Sequence, residues 1–208
     1  MEDIMKSAED ELKIRGYKQG SVEWQKERRM RLTASAFGEV CKRRPYTSCK
    51  KLVKRLLYAP KSKATRDMED GHCLEQEAKE KLRESGVNVE DCGLFIDRQL
   101  PFLGASPDGL IAEDTILEIK SPGEKARAFP SAKEAIQSKT KDYLSVNEDG
   151  ELRLKKNHDF YFQIQGQLHI TGRSKCMFHV YSKNWQHTEL IERDDQFWAE
   201  KMEQQLVT

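Results

Sequence analysis

The sequence predicts one α/β domain over residues 1–208, with a mixed central sheet flanked by helices. Three observations predict it. Leu74, Ala78 and Leu82 recur at i, i+4 and i+8, which is one face of a helix. Beyond Gly86 the pattern changes to short segments rich in β-branched residues and broken by Pro, Gly and Asp. An apolar, aromatic run at 158–172, HDFYFQIQGQLHITG, then has helical length and is followed by two more strand-like segments. A chain of 208 residues can bury a real core. No internal repeat or low-complexity tract is present.

Taken in order, residues 1–20 predict a short helix with a glycine-rich exit at Gly16 and Gly20. Ser21 can cap a helix over VEWQKERRMR, and Thr33 or Ser35 can cap one over ASAFGEVC. A basic helix from Ser48 to Tyr58 would stop before Pro60, and a helix over 67–85 would end at Gly86. Segments 87–97, 103–112 and 115–121 predict three consecutive strands, with a hairpin turning near Glu113 and Asp114. The polar stretch from Pro122 to Asn157 predicts an insertion carrying a helix at 131–138 and a small hairpin turning at Asp149-Gly150. A buried helix at 158–172, strands at 176–182 and 187–193, and a last helix capped by Asp194 or Asp195 complete the chain. Basic helices thus fill about 1–66, and the core about 67–208.

Hydrophobic residues make up 37% and charged residues 34%, with no apolar run long enough to span a bilayer, so a membrane protein is not expected. The polar, acidic start MEDIMKSAEDELK does not read as a signal peptide. The five cysteines, Cys41, Cys49, Cys73, Cys92 and Cys176, form no CxxC pair, which points to reduced thiols in an intracellular protein that is not secreted. The net charge of +1 conceals an asymmetry. Between Lys26 and Arg66 only Glu27 and Glu39 oppose a long series of Lys and Arg, whereas acids dominate from Asp67 to Glu118. A charge run alone is usually a solvated helical face. A basic tract beside an acidic centre that could bind metal fits a polyanion partner better.

The stretch that carries chemistry is Ser106-Pro107-Asp108-Gly109 followed by Leu117-Glu118-Ile119-Lys120. On a hairpin, Asp108 lies at the bend of one strand, and Glu118 and Lys120, two apart on the next, point to one side. Two carboxylates can then converge on a hard cation such as Mg²⁺, with the Ile119 carbonyl as a further ligand. Bound metal lowers the pKa of its water and offsets charge on a phosphodiester. Lys120 could orient or deprotonate that water, or balance transition-state charge. The spacing alone arises often by chance. Here Leu117 and Ile119 flank Glu118, and burying an acid and a base in an apolar strand is unfavourable unless they pair or bind metal. Glu75, on the preceding helix, reads equally as a solvent-facing acid or as a third carboxylate. Gln163 and Gln165 read equally as structural amides or as parts of the site. His169 and His179 read as core histidines and Trp24 as a core anchor, while His72 and His158 stay open.

GASPDGL, LEIKSP and FYFQIQGQLHITG, in this order, resemble the YqaJ viral recombinase family of lambda-exonuclease-like PD-(D/E)xK nucleases. GHCLEQEA at 71–78 resembles its Gly-x-x-x-Glu helix, and WQKERRMRLTAS at 24–35 its Trp…Arg…Thr-Ala-Ser segment. The resemblance covers roughly residues 21–200. It implies a restriction-endonuclease-like core and a Mg²⁺-dependent deoxyribonuclease, with Mn²⁺ able to substitute and two ions per site. It implies that Asp108, Glu118 and the Ile119 carbonyl bind the catalytic metal and that Glu75 helps hold a second. Lys120 then assists the water, and Gln163 supports it. Arg28, Ser35 and Ser106 match positions that grip the 5′-phosphate of a DNA end. Digestion of duplex DNA ends from the 5′ side, a homotrimer and a single-strand annealing partner are implied as well. An endonuclease or nickase, and an inactive DNA-end-binding module, are the alternatives. The polar, charged stretch from Lys125 to Asn157 departs from the phage pattern, and it bears on the oligomer and the partner.

Overall fold

A computed structural model of the chain describes residues 8–44, 46–58, 66–138 and 143–207. Five helices come first: α1 (Ala8–Arg15), α2 (Val22–Arg29), α3 (Phe37–Cys41), α4 (Lys50–Tyr58) and α5 (Arg66–Glu84). A two-residue strand, β1 (Leu32–Thr33), stands between α2 and α3. Ser21 caps α2 as expected, its hydroxyl accepting from the Trp24 N–H. Thr33 precedes a 3₁₀ turn, Ala34–Ala36, with no side-chain cap bond, so the helix expected over ASAFGEVC is regular only from Phe37. The expected stop at Pro60 lies outside the described residues.

The three expected strands are five. The first segment divides into β2 (Val89–Glu90) and β3 (Phe95–Ile96), and the second into β4 (Leu103–Ala105) and β5 (Gly109–Ile111). β6 (Thr115–Lys120) is continuous. Each divided segment changes sheets, because β3 and β4 form a small sheet with β1, in the order β1-β4-β3, while β2 and β5 join the sheet of β6. Two local features force the change. At Gly93 the chain runs against the end of α1: its N–H donates to the Arg15 carbonyl (2.8 Å), and a Cβ there would stand 2.5 Å from the Tyr17 oxygen. At Ser106–Asp108, Pro107 has no N–H to continue a ladder. The Asp108 N–H donates instead to the Leu117 carbonyl (2.9 Å), which starts the β5–β6 hairpin. That hairpin pairs Ile111 with Thr115, so its turn spans Ala112–Asp114, as expected.

The insertion holds a short helix not anticipated from sequence, α6 (Glu124–Arg127), then α7 (Ala132–Gln137) and the hairpin β7 (Leu144–Val146) with β8 (Leu152–Leu154). After it come α8 (Asp159–Thr171), β9 (Lys175–Tyr181) and β10 (Gln186–Glu192). The last helix, capped by Asp194, begins as α9 (Asp195–Phe197), widens to a π turn over Trp198–Glu203 and ends as α10 (Gln204–Val207).

The main sheet has the order β10-β9-β6-β5-β2, and only the β6–β9 pair is parallel. It is the expected mixed sheet. The alternation along β6 sorts its side chains between two layers. Leu117 and Ile119 pack with Leu74 and Ala78 of α5. Ile116 packs on the other face with Ile164 and Leu168 of α8 and Phe178 of β9. The even-numbered set includes Glu118, so the carboxylate is directed under α8. The far side of α8 meets the N-terminal helices and the last helix: Phe162 and Ile170 pack with Phe37, Trp198 and Met202. Gly166 permits this contact, since a Cβ there would lie 2.3 Å from Phe37 Cδ2. No helix of the described residues is long and apolar enough to cross a membrane.

Candidate active site

The centre is built on β6. Glu118 is only 2% exposed. Its Oε1 accepts from the Lys120 ammonium and from Gln163 Nε2 (2.7 Å), and its Oε2 accepts from Gln167 Nε2 (2.8 Å). Lys120 Nζ also donates to Gln163 Oε1 (3.3 Å) and lies 4.6 Å from the centre of the Phe160 ring. A buried carboxylate is tolerated when its lone pairs are used, and removing one partner from a buried ion pair costs about 3–5 kcal/mol. A carboxylate offers about four lone-pair sites. Three are filled here, and one on Oε2 remains for a further partner.

Asp108 is half-buried at the sheet-switching bend, and its Oδ2 accepts from the Ile119 N–H (2.6 Å). The bend is clamped from the α1–α2 loop by Gln19 Nε2, which donates to the Pro107 carbonyl (2.7 Å). Burial, with the negative charges of Glu118 and Glu75 nearby, holds the Asp108 carboxyl well above the usual carboxylate range. For Lys120, burial pulls the pKa down, but the charges of Glu118 and Asp108 outweigh it and the ammonium is stabilised. Lys120 is therefore a cation at neutral pH in this arrangement.

Glu75 stands apart from this group. On α5 its Oε1 pairs with Lys79 (3.3 Å), and its Oε2 lies 3.9 Å from His72 Nδ1. Lys79 is itself buried and also faces Asp91 (3.8 Å). Glu75, Lys79, Asp91, Trp24 and Asp108 line one cavity of about 660 Å³. Among the described residues, no three His, Cys, Asp or Glu side chains close on one point. The donor chemistry still suits a hard divalent cation. Asp108 and Glu118 both offer carboxylate oxygens, and burial, with the charges of Glu118 and Glu75 close enough to repel it, raises the Asp108 pKa.

Arg28, Ser35 and Ser106 are brought together. Arg28 Nη2 donates to Ser35 Oγ (3.0 Å), whose neighbour is Thr33 Oγ1 at 3.2 Å. The link to Ser106 runs through Trp24. The Arg28 guanidinium lies 4.9 Å from the Trp24 ring centre, and Trp24 Nε1 donates to Ser106 Oγ (3.1 Å). Trp24 thus does more than the core anchoring expected of it. Burial lowers the Arg28 pKa against the opposing pull of Glu118, so guanidinium and carboxylate feel one another. Part of the basic tract is consumed within the fold. Arg31 pairs with Glu27 and donates to the Pro101 carbonyl, and Arg55 and Lys42 pair with Glu39 and Asp159.

Of the glutamines, Gln165 turns away from the centre. Its Nε2 donates to the Glu192 carbonyl (2.9 Å) and its Oε1 accepts from the Asp194 N–H (2.8 Å), tying α8 to the last helix. Gln167, not singled out from sequence, reaches Glu118 instead. The available signal was its i, i+4 spacing from Gln163, which puts the two amides on one helical face. His158 caps α8, accepting from the Phe160 N–H. His169 stacks on Trp198 and His179 bonds to Thr188, both away from Glu118.

A mixed sheet between helical layers, with an acid–acid–lysine hairpin at one end, is a restriction-endonuclease-like core. The chain belongs to the YqaJ-like viral recombinase domain family, which it matches over residues 23–174. It is similar in structure to an alkaline exonuclease, LHK-Exo, from Laribacter hongkongensis. The two share 26% identity over 90% of this chain and 89% of that one, with a TM-score of 0.67. The same enzyme in complex with dAMP aligns at 26% identity over 86% of each chain, with a TM-score of 0.66. A phage-related exonuclease from Haemophilus somnus 129PT shares the fold at 12% identity over 85% of this chain and 90% of that one, with a TM-score of 0.56. No curated protein sequence matches the chain.

Proposed function

We propose that this chain is a metal-dependent exonuclease that hydrolyses one strand of duplex DNA from its 5′ end. The observation that carries the reading is Glu118, buried beside Asp108 and held by Lys120, Gln163 and Gln167. A strand acid with no chemical role needs neither burial nor three dedicated donors. Asp108, Glu118 and the Ile119 carbonyl would hold Mg²⁺ or Mn²⁺, and Glu75 a second ion once released from Lys79. Bound there, the metal supplies a water of lowered pKa and offsets charge on the phosphodiester. Glu118 Oε2 presents its uncommitted lone pair in a fixed direction. Gln163 holds Lys120 and Glu118 in register, each contacting the other two. Lys120, kept charged, aligns the attacking water and stabilises the negative charge that builds on the phosphoryl oxygens.

The 5′ polarity rests on Arg28, Ser35 and Ser106. A forked guanidinium with two hydroxyls suits a terminal phosphate dianion, and Ser106 lies two residues from Asp108. A phosphate held there places the next phosphodiester beside the carboxylates. The family resemblance extends the proposal to a homotrimer around the duplex and to an annealing partner for the 3′ overhang.

The test uses linear duplexes with a single 5′ end blocked by phosphorothioate linkages, alongside closed circles, with and without Mg²⁺. The proposal expects loss of only the strand with the free 5′ end and intact circles. Cut circles would establish an endonuclease. Binding with no cutting under any divalent ion would establish an inactive end-binding module.

A further inference from the structure

We infer that Gln167 is a positioning residue of the metal centre, fixing the carboxylate plane of Glu118 from the side opposite Gln163. The inference rests on the nuclease reading above and goes beyond it, because it assigns the Oε2 side of Glu118 to a residue that the motif does not include.

Three glutamines in a row of five on α8 allow an internal comparison. Gln165 is 1% exposed and uses both halves of its amide on backbone groups, so it serves the fold. Gln167 is equally buried, yet only its Nε2 is bonded, to Glu118 Oε2, and its Oε1 has no partner among the described residues. A half-satisfied buried amide is a poor structural device, since an apolar residue of the same shape would avoid the unpaired oxygen. Its orientation is not interchangeable either. An ionised carboxylate only accepts, so the NH₂ group must face Glu118.

The geometry shows what that bond does. Gln163 and Lys120 both act on Oε1, so without Gln167 nothing would hold Oε2 directly. The Gln167 bond to Oε2 restrains the carboxylate plane from its second oxygen and leaves one lone pair of Oε2 uncommitted. Partners that orient a metal-binding side chain typically change metal affinity or activity by about 10–100-fold when lost. Gln167 touches neither the reacting atoms nor Asp108, so it acts through Glu118.

The experiment compares wild type with Gln167→Met and Gln167→Leu, which keep the volume and remove the donor. Mn²⁺ binding is followed by electron paramagnetic resonance without DNA, and kcat and KM are measured on linear duplex with Mg²⁺. We expect Mn²⁺ affinity and kcat each to fall by about 10–100-fold, with KM for DNA and duplex binding in EDTA unchanged. Gln165→Met should leave Mn²⁺ affinity unchanged while lowering Tm. Wild-type Mn²⁺ affinity and kcat in both Gln167 variants would overturn the inference and leave the nuclease standing. Failure of both to fold, judged by circular dichroism, would assign Gln167 to the fold and overturn it too. A wild-type protein that neither binds Mn²⁺ nor cleaves DNA would overturn the nuclease reading together with the inference.

Discussion

Two of the three acids expected to serve metals, Glu118 and Glu75, are held in opposite ways. Glu118 lies on a buried strand and is fixed by three side-chain donors from β6 and α8. Glu75 lies on the helix across the sheet, with a quarter of its side chain exposed, and is occupied by Lys79 and His72. One side of the site is preorganised and the other has to exchange a salt bridge for its ligand. A fixed ligand loses nothing in reorganisation when charge develops, whereas an ion-paired one competes with its own counter-ion. On the proposed reading, the main catalytic charge falls to the β6 side and an adjustable, secondary role to α5.

The largest expected effect tests the fixed side. Asp108→Asn and Glu118→Gln should each lower kcat by at least about 10³-fold, corresponding to about 4 kcal/mol of lost charge stabilisation. Duplex binding should persist in both, because phosphate contacts lie elsewhere. Single-turnover rates beside a gel-shift titration check this. Wild-type rates in either variant would dissolve the assignment.

Glu75→Ala should act more weakly, by about 10–100-fold, and raising Mg²⁺ should recover part of it. An effect as deep as that of Glu118→Gln, with no recovery, would erase the distinction between the two sides. Lys79→Met sharpens the same point. It frees Glu75 from its pair and should lower the Mg²⁺ concentration at half-maximal rate.

Arg28→Ala should reduce the rate on 5′-phosphorylated duplex by about 10–100-fold, the value of a charged hydrogen-bonded contact. The rate on 5′-hydroxyl duplex should fall much less, because that substrate lacks the terminal phosphate dianion. Equal wild-type rates on the two substrates would remove the phosphate pocket from the account.

The smallest effect concerns stability. The folded-state pKa of Asp108 is raised above its ordinary 3.8. Its contribution to stability is therefore present below that ordinary value and lost as pH rises through the folded-state value. At neutral pH in EDTA a carboxyl with a raised folded-state pKa costs stability relative to the unfolded chain, so Asp108→Asn should raise Tm while abolishing cleavage. For a domain of this size the gain is on the order of 2–4 °C per kcal/mol relieved. The difference should shrink as the pH approaches 4. Calorimetry across pH decides it, and a lower Tm for the variant at neutral pH would contradict the repulsion among the acids.

Much of this arrangement was legible in the sequence, for reasons that also mark where legibility stopped. The β5–β6 hairpin follows from Pro107, the turn residues before Thr115 and the two-residue alternation that places Glu118 and Lys120 on one face. The sheet changes at Gly93 and at Ser106–Asp108 were not legible. Alternation reports which residues share a face, not which neighbouring strand they pair with. The close approach of α1 to Gly93 is a tertiary fact. α8 shows the same limit. Tyr161 through Leu168 are all buried, so no polar stripe indicates which way the helix is turned. Gln163 and Gln165 were recognised as unusual, but rotation alone decides that Gln163 and Gln167 meet Glu118 while Gln165 ties down Asp194. Trp24 was read as apolar bulk, and its indole N–H on Ser106 needed two segments far apart in sequence to be seen together.

The most direct test of the central claim is the release of nucleotides from 5′-phosphorylated linear duplex by wild-type protein, as Mg²⁺ is titrated in from a chelated start. The account predicts no release in EDTA, a saturable rise with Mg²⁺, and a flat line for Glu118→Gln over the same range. Release in EDTA, or a Glu118→Gln curve that overlays wild type, would contradict a metal-dependent centre built on Glu118.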